Sequence, residues 1–312
     1  MKTLVTGGAG FIGRWTVKYL LKEKYDVYVL DNLSNGEEKN IAEFKQHPYF
    51  KGFVRGDILQ RDLLRVIFEE ENFDICFHLA STISVQESLD NPLETFKVNI
   101  KGTFNMLEEA RRKNSKIVFI STCMVYKKGN LKPIDENYPI SPLSPYAASK
   151  LSAENLILSY YYAYNLPVVI LRPFNTYGPY QKGNSEGGVI SIFIKQNLKR
   201  EALNIYGEGT QTRDFLYVED CANFIVKAGL SDKTTGKIIN AGTGKDISIN
   251  ELAKLIAHDG DCIHHIPHIH PQSEISKLCC DYSRAESLLG WKPKTSLRKG
   301  IAKTREWIRK QL

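Results

Sequence analysis

The stretch Gly7-Gly8-Ala9-Gly10-Phe11-Ile12-Gly13 limits what this chain can fold into more than any other. It follows residues 2–7, an apolar run that reads as a strand, and it opens residues 11–23, which read as an amphipathic helix. Glycine at 7, 10 and 13 lets a pyrophosphate approach the backbone. The helix N-terminus behind it supplies N–H donors and positive potential. A second strand, residues 25–31, ends on Asp31, 18 residues after Gly13. A carboxylate there can accept the two hydroxyls of an adenosine ribose and repels a 2′-phosphate, which favours NAD over NADP.

The same alternation continues. Strands are expected over 50–58, 73–80, 115–122 and 166–173, with helices over 60–71, 92–113 and 146–164. Apolar, β-branched strands alternating with helices predict an α/β fold, a Rossmann-type doubly wound parallel sheet covered on both faces. After Arg172 the character changes to a Gly/Asn-rich loop over 174–188, a helix over 189–200, and then short loops and helices. The expected organisation is an NAD-binding domain over 1–173, to which about 212–243 returns. A smaller C-terminal α/β substrate-binding lobe takes most of 174–312.

The 312 residues are 42% hydrophobic and 25% charged, ordinary for a soluble protein. No apolar run approaches a membrane span, and the N-terminus lacks the regions of a signal peptide, so a cytoplasmic location is expected. The net charge of +7 is spread along the chain, and its densest cluster, residues 111–116, reads as a helix end. That pattern suits small polyanionic ligands and gives no reason to expect nucleic-acid binding. Cys76, Cys123, Cys221, Cys262, Cys279 and Cys280 show no CxxC spacing and are expected as reduced thiols.

Tyr146 and Lys150 lie four apart at a helix start and therefore share a face. A tyrosine, with an ordinary pKa near ~10, is too weak a base at neutral pH unless cations stabilise its phenolate. Lys150 and a positive nicotinamide ring would do so, with Lys150 also holding the nicotinamide ribose. Ser121-Thr122 ends the strand expected beside them.

With these residues in view, the chain resembles an extended short-chain dehydrogenase/reductase of the nucleotide-sugar epimerase/dehydratase branch over essentially its whole length. The stretches that carry the resemblance are TGGAGFIG (6–13), HLAS (78–81), VNIKGTFNMLE (98–108), SPYAASK (144–150), LRPFNTYGP (171–179), QTRDFLYVED (211–220), NAGTG (240–244) and LLGWKPKTSL (288–297). The resemblance implies that Gly7, Gly10, Phe11, Ile12, Gly13, Asp31 and Asn32 hold the pyrophosphate and adenosine of NAD. Asp57 and Ile58 would flank the adenine. Leu79, Ala80 and Ser81 would line the path to the nicotinamide, with Asn99 supporting them. Thr122 would hold the C4 hydroxyl of a nucleotide-diphosphate sugar beside Tyr146. Asn175 and Arg213 would bind its diphosphate, and His270 stands where many relatives place an arginine for the same task. The shared opening step is loss of the C4 hydroxyl proton to Tyr146 with hydride transfer from C4 to NAD. The helices near 95–112 and 147–164 match those of a homodimer interface in relatives.

The chain also departs from the pattern. Where 4,6-dehydratases commonly read STDEVY, residues 121–126 read Ser-Thr-Cys-Met-Val-Tyr. Elimination of water needs a proton donor and a base, and Met124 can be neither. Cys123 is a small wall residue or, with a lowered thiol pKa, a substitute proton carrier. A 4-epimerase needs no such pair, so 4-epimerisation is favoured, with a 4,6- or 5,6-dehydratase using Cys123 and a non-catalytic NAD sensor as alternatives. Residues 125–129, VYKKG, replace the usual VYG over the sugar. His258, His264, His265, His268 and His270 surround Cys262, but the implied chemistry needs no metal, and a packed or solvated loop is expected there.

Overall fold

A computed structural model describes residues 1–129, 132–182, 188–257, 262–268 and 271–312. The chain runs β1 (Lys2–Thr6), α1 (Phe11–Lys22), β2 (Asp26–Asp31), β3 (Phe50–Arg55), α2 (Arg61–Glu71), β4 (Ile75–His78), α3 (Val85–Asp90) and α4 (Pro92–Phe96). A π-helical turn, Lys97–Gly102, leads into α5 (Thr103–Lys113), followed by β5 (Lys116–Ile120), a 3₁₀ turn at Cys123–Val125, α6 (Pro145–Tyr164) and β6 (Val168–Pro173). Then come β7 (Asn175–Tyr177), α7 (Val189–Leu198), β8 (Leu203–Tyr206), β9 (Thr212–Tyr217), α8 (Val218–Leu230) and β10 (Lys237–Ala241). The C-terminal elements are β11 (Asp246–Ser248), α9 (Ile249–Ile256), β12 (Ile263–Ile266), β13 (Lys277–Leu278), α10 (Ser283–Leu289) and α11 (Leu297–Arg309).

The chain divides into two compact units. The first holds Met1–Val125, Ser144–Arg172 and Ala222–Ile239. Its seven-stranded sheet has the order β10-β6-β5-β4-β1-β2-β3, with parallel pairing from β3 through to β6. Strand order reverses between β1 and β4, so their carboxyl ends open the crevice in which α/β sheets of this kind bind ligands. The core beneath includes Leu4, Leu30, Leu64, Phe68, Phe73, Phe119 and Ile170, with Phe68 edge-on to Phe73 at 5.3 Å. Asparagine ends α2, α5 and α6, with Asn72, Asn114 and Asn165 each in the left-handed conformation that closes a helix.

The helix expected over 92–113 is present and runs without a gap through α4, the π turn and α5. The wider turn carries Asn99 inward, and Gly102 lies where a Cβ would stand 2.4 Å from Ile58 Cδ1. Helical periodicity does not reveal a one-residue widening of this kind.

The second unit holds Tyr126–Leu143, Pro173–Cys221 and Asn240–Leu312. Residues 126–143 thus belong with the C-terminal unit, and the segment returning to the first is 222–239. Its sheet is β11-β9-β13, with β7 on β9, and β12 pairs with β8. Asp214, fully buried, accepts from the N–H and hydroxyl of Thr243 and from the N–H groups of Gly244 and Cys280 (2.6–3.1 Å), tying three segments together. All six cysteines are free thiols, and only Cys262 is exposed. No helix among the described residues is long and apolar enough to cross a membrane.

Gly229 on α8 lets that helix approach the sheet. A methyl there would sit 2.4 Å from the Phe77 ring and 3.0 Å from Val118. Exposed Gly→Ala changes within helices gain about 1 kcal/mol, whereas overpacking a core costs about 1–3 kcal/mol. Gly229→Ala is therefore expected to lower the urea midpoint at unchanged slope; a higher midpoint would contradict the packing described.

Candidate active site

The loop after β1 is built by close backbone approach. Gly7 has φ +69° and donates its N–H to the Leu30 carbonyl at 2.8 Å. A Cβ at Gly7 would fall 2.8 Å from the Ala80 nitrogen, and one at Gly13 would fall 2.0 Å from the Gly7 carbonyl oxygen. No side chain caps α1, and its first turn carries no acid. Uncapped N–H groups behind a loop without side chains form a cradle for a pyrophosphate. Asp31 ends β2 with one oxygen accepting from Ala9 N–H and the other from Leu33 N–H, both at 2.9 Å. Its carboxyl is raised by burial, against the opposing effect of those two bonds. Beside it, Asn32 donates to Asp57 at 2.8 Å, and buried Ile58 is fixed by Asn105 donating to its carbonyl at 3.0 Å. These residues fit an adenine dinucleotide by shape and donor set.

A chain of buried polar groups connects this cradle to α6. Thr103 donates its hydroxyl to the Asn99 carbonyl at 2.7 Å, so it accepts from His78 Nε2–H at 3.1 Å. Burial, and secondarily Lys150, push His78 down to about 3. The neutral ring therefore leaves Nδ1 to accept from Thr6 Oγ1 at 2.8 Å. Thr6 Oγ1 in turn accepts from Ala80 N–H at 3.2 Å, and Leu79 N–H donates to the Thr6 carbonyl. Asn99 accepts from Thr82 N–H at 2.9 Å and donates to the Thr82 carbonyl and to Ser149 Oγ. Ser149 donates to the Tyr146 carbonyl at 2.7 Å. Leu79, Ala80 and half-buried Ser81 are held between these anchors.

Thr122, Cys123, Tyr146 and Lys150 come together within the first unit. Ser144 caps α6 through the Ala147 N–H and Pro145 occupies its first turn, so Tyr146 and Lys150 project from a well-defined helix start. Thr122 hydrogen-bonds the Tyr146 hydroxyl and accepts from Met124 N–H at 3.2 Å. Burial pushes Tyr146 up to about 12, the Thr122 bond opposes this, and Cys123 adds to it. Cys123 is 3% exposed. Lys150 is pushed down to about 7 by burial, against the opposing effect of Glu154, and its ammonium lies 4.4 Å from the centre of the Phe119 ring. Without added positive charge, Tyr146 remains a hydroxyl at neutral pH.

The remaining candidates lie in the second unit. Asn175 pairs in register with Phe215, two residues from Arg213, and its Oδ1 is buried with no hydrogen-bond partner. Arg213 donates to the Thr212 and Ile275 carbonyls at 2.8 and 2.7 Å and pairs with Glu274, which also accepts from His268 at 2.6 Å. Its guanidinium thus already has three protein partners. His258 and His270 lie outside the described residues. His264 and His265 are exposed on β12, with His265 bonded to the Gly207 carbonyl. Among the described residues, no group of three or more His, Cys, Asp or Glu is placed to hold a metal.

Sequence reasoning missed His78, Ser149, Glu154, Arg172 and Asp214. Only Glu154 left a readable sign, the spacing Tyr146, Lys150, Glu154 along one helix face.

The fold and this site fit a dinucleotide-dependent enzyme, with a tyrosine and a lysine one turn apart at the start of α6. The family model described as GDP-mannose 4,6 dehydratase matches residues 4–304. A putative UDP-glucose 4-epimerase of Methanocaldococcus jannaschii is 41% identical over 98% of both chains. The structure of Pal from Bacillus thuringiensis is 56% identical over the full length of both chains, with a TM-score of 0.99. A UDP-glucose 4-epimerase from Thermus thermophilus, in complex with NAD, is 32% identical over the full length of both chains, with a TM-score of 0.91. The chain belongs to the extended short-chain dehydrogenase/reductase family of nucleotide-sugar epimerases and dehydratases.

The tether through His78 has a consequence for pH. Its folded pKa, about 3, lies below the ordinary 6.5. As pH falls below 6.5 the unfolded chain takes up a proton that the folded chain refuses, so stability is lost between pH 6.5 and 3. One proton corresponds to about tenfold in the unfolding constant per pH unit. Urea unfolding between pH 6 and 4 is expected to show a slope shallower by that one proton in His78→Gln. Equal slopes would contradict the neutral buried ring.

Proposed function

We propose that this protein is an NAD-dependent nucleotide-sugar 4-epimerase acting on UDP-hexoses through a transient 4-keto sugar. The observation that carries the reaction type is the pairing of a complete Thr122–Tyr146–Lys150 set with Cys123-Met124 at the two positions where elimination would want carboxylates. Relatives named for UDP sugars support the choice of nucleotide.

In this reading Thr122 orients the sugar's C4 hydroxyl and Tyr146 removes its proton. NAD held by the glycine loop, Asp31 and the 79–81 segment would supply a hydride acceptor for C4, a donor for the return, and positive charge at its nicotinamide. Burial raises Tyr146 and lowers Lys150 to about 7, so the phenolate draws on the Thr122 bond and on positive charge from Lys150 and the nicotinamide. The glycine cradle, Asp31 and the 79–81 segment hold the dinucleotide. Asn175 and Arg213 hold the substrate's diphosphate, with Arg213 exchanging Glu274 for phosphate oxygens.

A second reading rests on the position of Cys123, which is buried and close enough to Tyr146 to raise its pKa. There Cys123 would carry a proton in a dehydration. Proton NMR of the enzyme with UDP-hexoses separates the two: a new anomeric signal with the C6 hydroxymethyl intact is expected, and a methyl doublet or alkene signal would sink the epimerase reading. Tyr146→Phe should lower kcat by roughly 10²–10⁴-fold while NAD remains bound. Undiminished turnover would exclude Tyr146 as the base.

A homodimer through α4, α5 and α6 belongs to the same proposal. Leu93, Phe96, Phe104, Tyr162 and Tyr164 leave large apolar surfaces exposed on these helices, Tyr162 at 75%. Sedimentation is expected to give twice the 35.5 kDa chain mass, and Phe104→Glu to halve it. A monomeric native protein would refute the dimer.

A further inference from the structure

One turn beyond Lys150 on α6, Glu154 is 1% exposed and faces Arg172 of β6, whose side chain is equally buried. Arg172 Nε donates to Glu154 Oε1 at 2.9 Å and a terminal nitrogen donates to Oε2 at 2.5 Å, a two-pronged pair. The Ser121 hydroxyl donates to Oε1 as well. One carboxylate thus joins three elements: the end of β5 just before Thr122, strand β6, and the helix that carries Tyr146 and Lys150. A buried ion pair is poor value as a stabiliser, because removing two charges from water costs several kcal/mol per ion. Placing one at this junction calls for another explanation.

We propose that Glu154 is a positioning residue for the tyrosine–lysine centre. It locks Ser121-Thr122 against α6 and sets a buried carboxylate one helical turn from Lys150, where its negative potential favours the ammonium. This rests on the reading of Tyr146 and Lys150 as the proton-transfer dyad. The surroundings of Lys150 leave Glu154 as its carboxylate. Phe119 of β5 presents a ring face, and His78 of β4 is neutral. The 123–125 turn brings Cys123 beside Tyr146. Glu87 and Asp90 of α3, Glu94 of α4, and Lys97 and Lys101 of the π turn are exposed. On α5, Glu108 is bound by Tyr160 and Arg111, and Glu109 pairs with Arg112. Burial drives Lys150 down, Glu154 works against it, and the balance of the two leaves the lysine at about 7. Arg172 of β6 holds Glu154 in place through both carboxylate oxygens.

The test reads Lys150 itself. NMR of protein labelled with ¹³Cε-lysine, without substrate, follows the Lys150 signal with pH, assigned by Lys150→Met. In Glu154→Gln the midpoint is expected to fall by at least about one pH unit. Glu154→Asp, which retains the charge, should stay near the native midpoint. Glu154→Gln leaves Arg172 buried without its partner, so a Glu154→Gln/Arg172→Met double variant guards against misfolding and should show a smaller downward shift. A lowered melting temperature with an unmoved midpoint in both Gln variants would overturn the proposal and leave Glu154 a structural residue. Because no turnover is measured, a failure of the epimerase reading would show in the product NMR and leave this titration untouched.

Discussion

The buried amide of Asn99 ties the segment beside the glycine loop to α6. Its oxygen takes the Thr82 N–H, its nitrogen serves the Thr82 carbonyl and Ser149, and Ser149 closes onto the carbonyl of Tyr146. Its own carbonyl receives Thr103, which begins the line through His78 to Thr6 at the mouth of the glycine loop. An unmade hydrogen bond in such a setting costs about 1–3 kcal/mol, so each member constrains the next. The π turn that delivers Asn99 sacrifices regular helical pairing for this purpose. The geometry of Gly7 and that of Tyr146 are therefore parts of one network.

The electrostatics follow from the same dryness. Burial moves Tyr146 up and Lys150 down, each toward its neutral form. At neutral pH Tyr146 is therefore a hydroxyl, and positive charge placed beside the phenol would favour its phenolate.

Much of this was legible in the sequence, because glycine spacing and strand–helix alternation are local signals. The loop 7–13, the acid at 31 and the dyad at 146 and 150 all announce themselves within short windows. The π-helical widening at 97–102 did not, since a residue inserted in one turn leaves apolar periodicity nearly intact. The Glu154–Arg172 pair and the His78 tether were hidden for another reason: they join residues 18 and 25 or more positions apart, and ordinary composition gives no sign of who meets whom. Arg213 was readable as a cation, but its present partner, Glu274, stands 61 positions away.

The central claim is that Cys123 and Met124 leave the centre able to move hydride at C4 and unable to exchange a proton at C5. Running the reaction in D₂O with a UDP-hexose and mapping deuterium by NMR tests this directly. The account predicts an epimerised sugar with no deuterium at C4 or C5, because the hydrogen that leaves C4 returns to it. Deuterium at C5 would contradict it and make the thiol of Cys123 a working acid–base group.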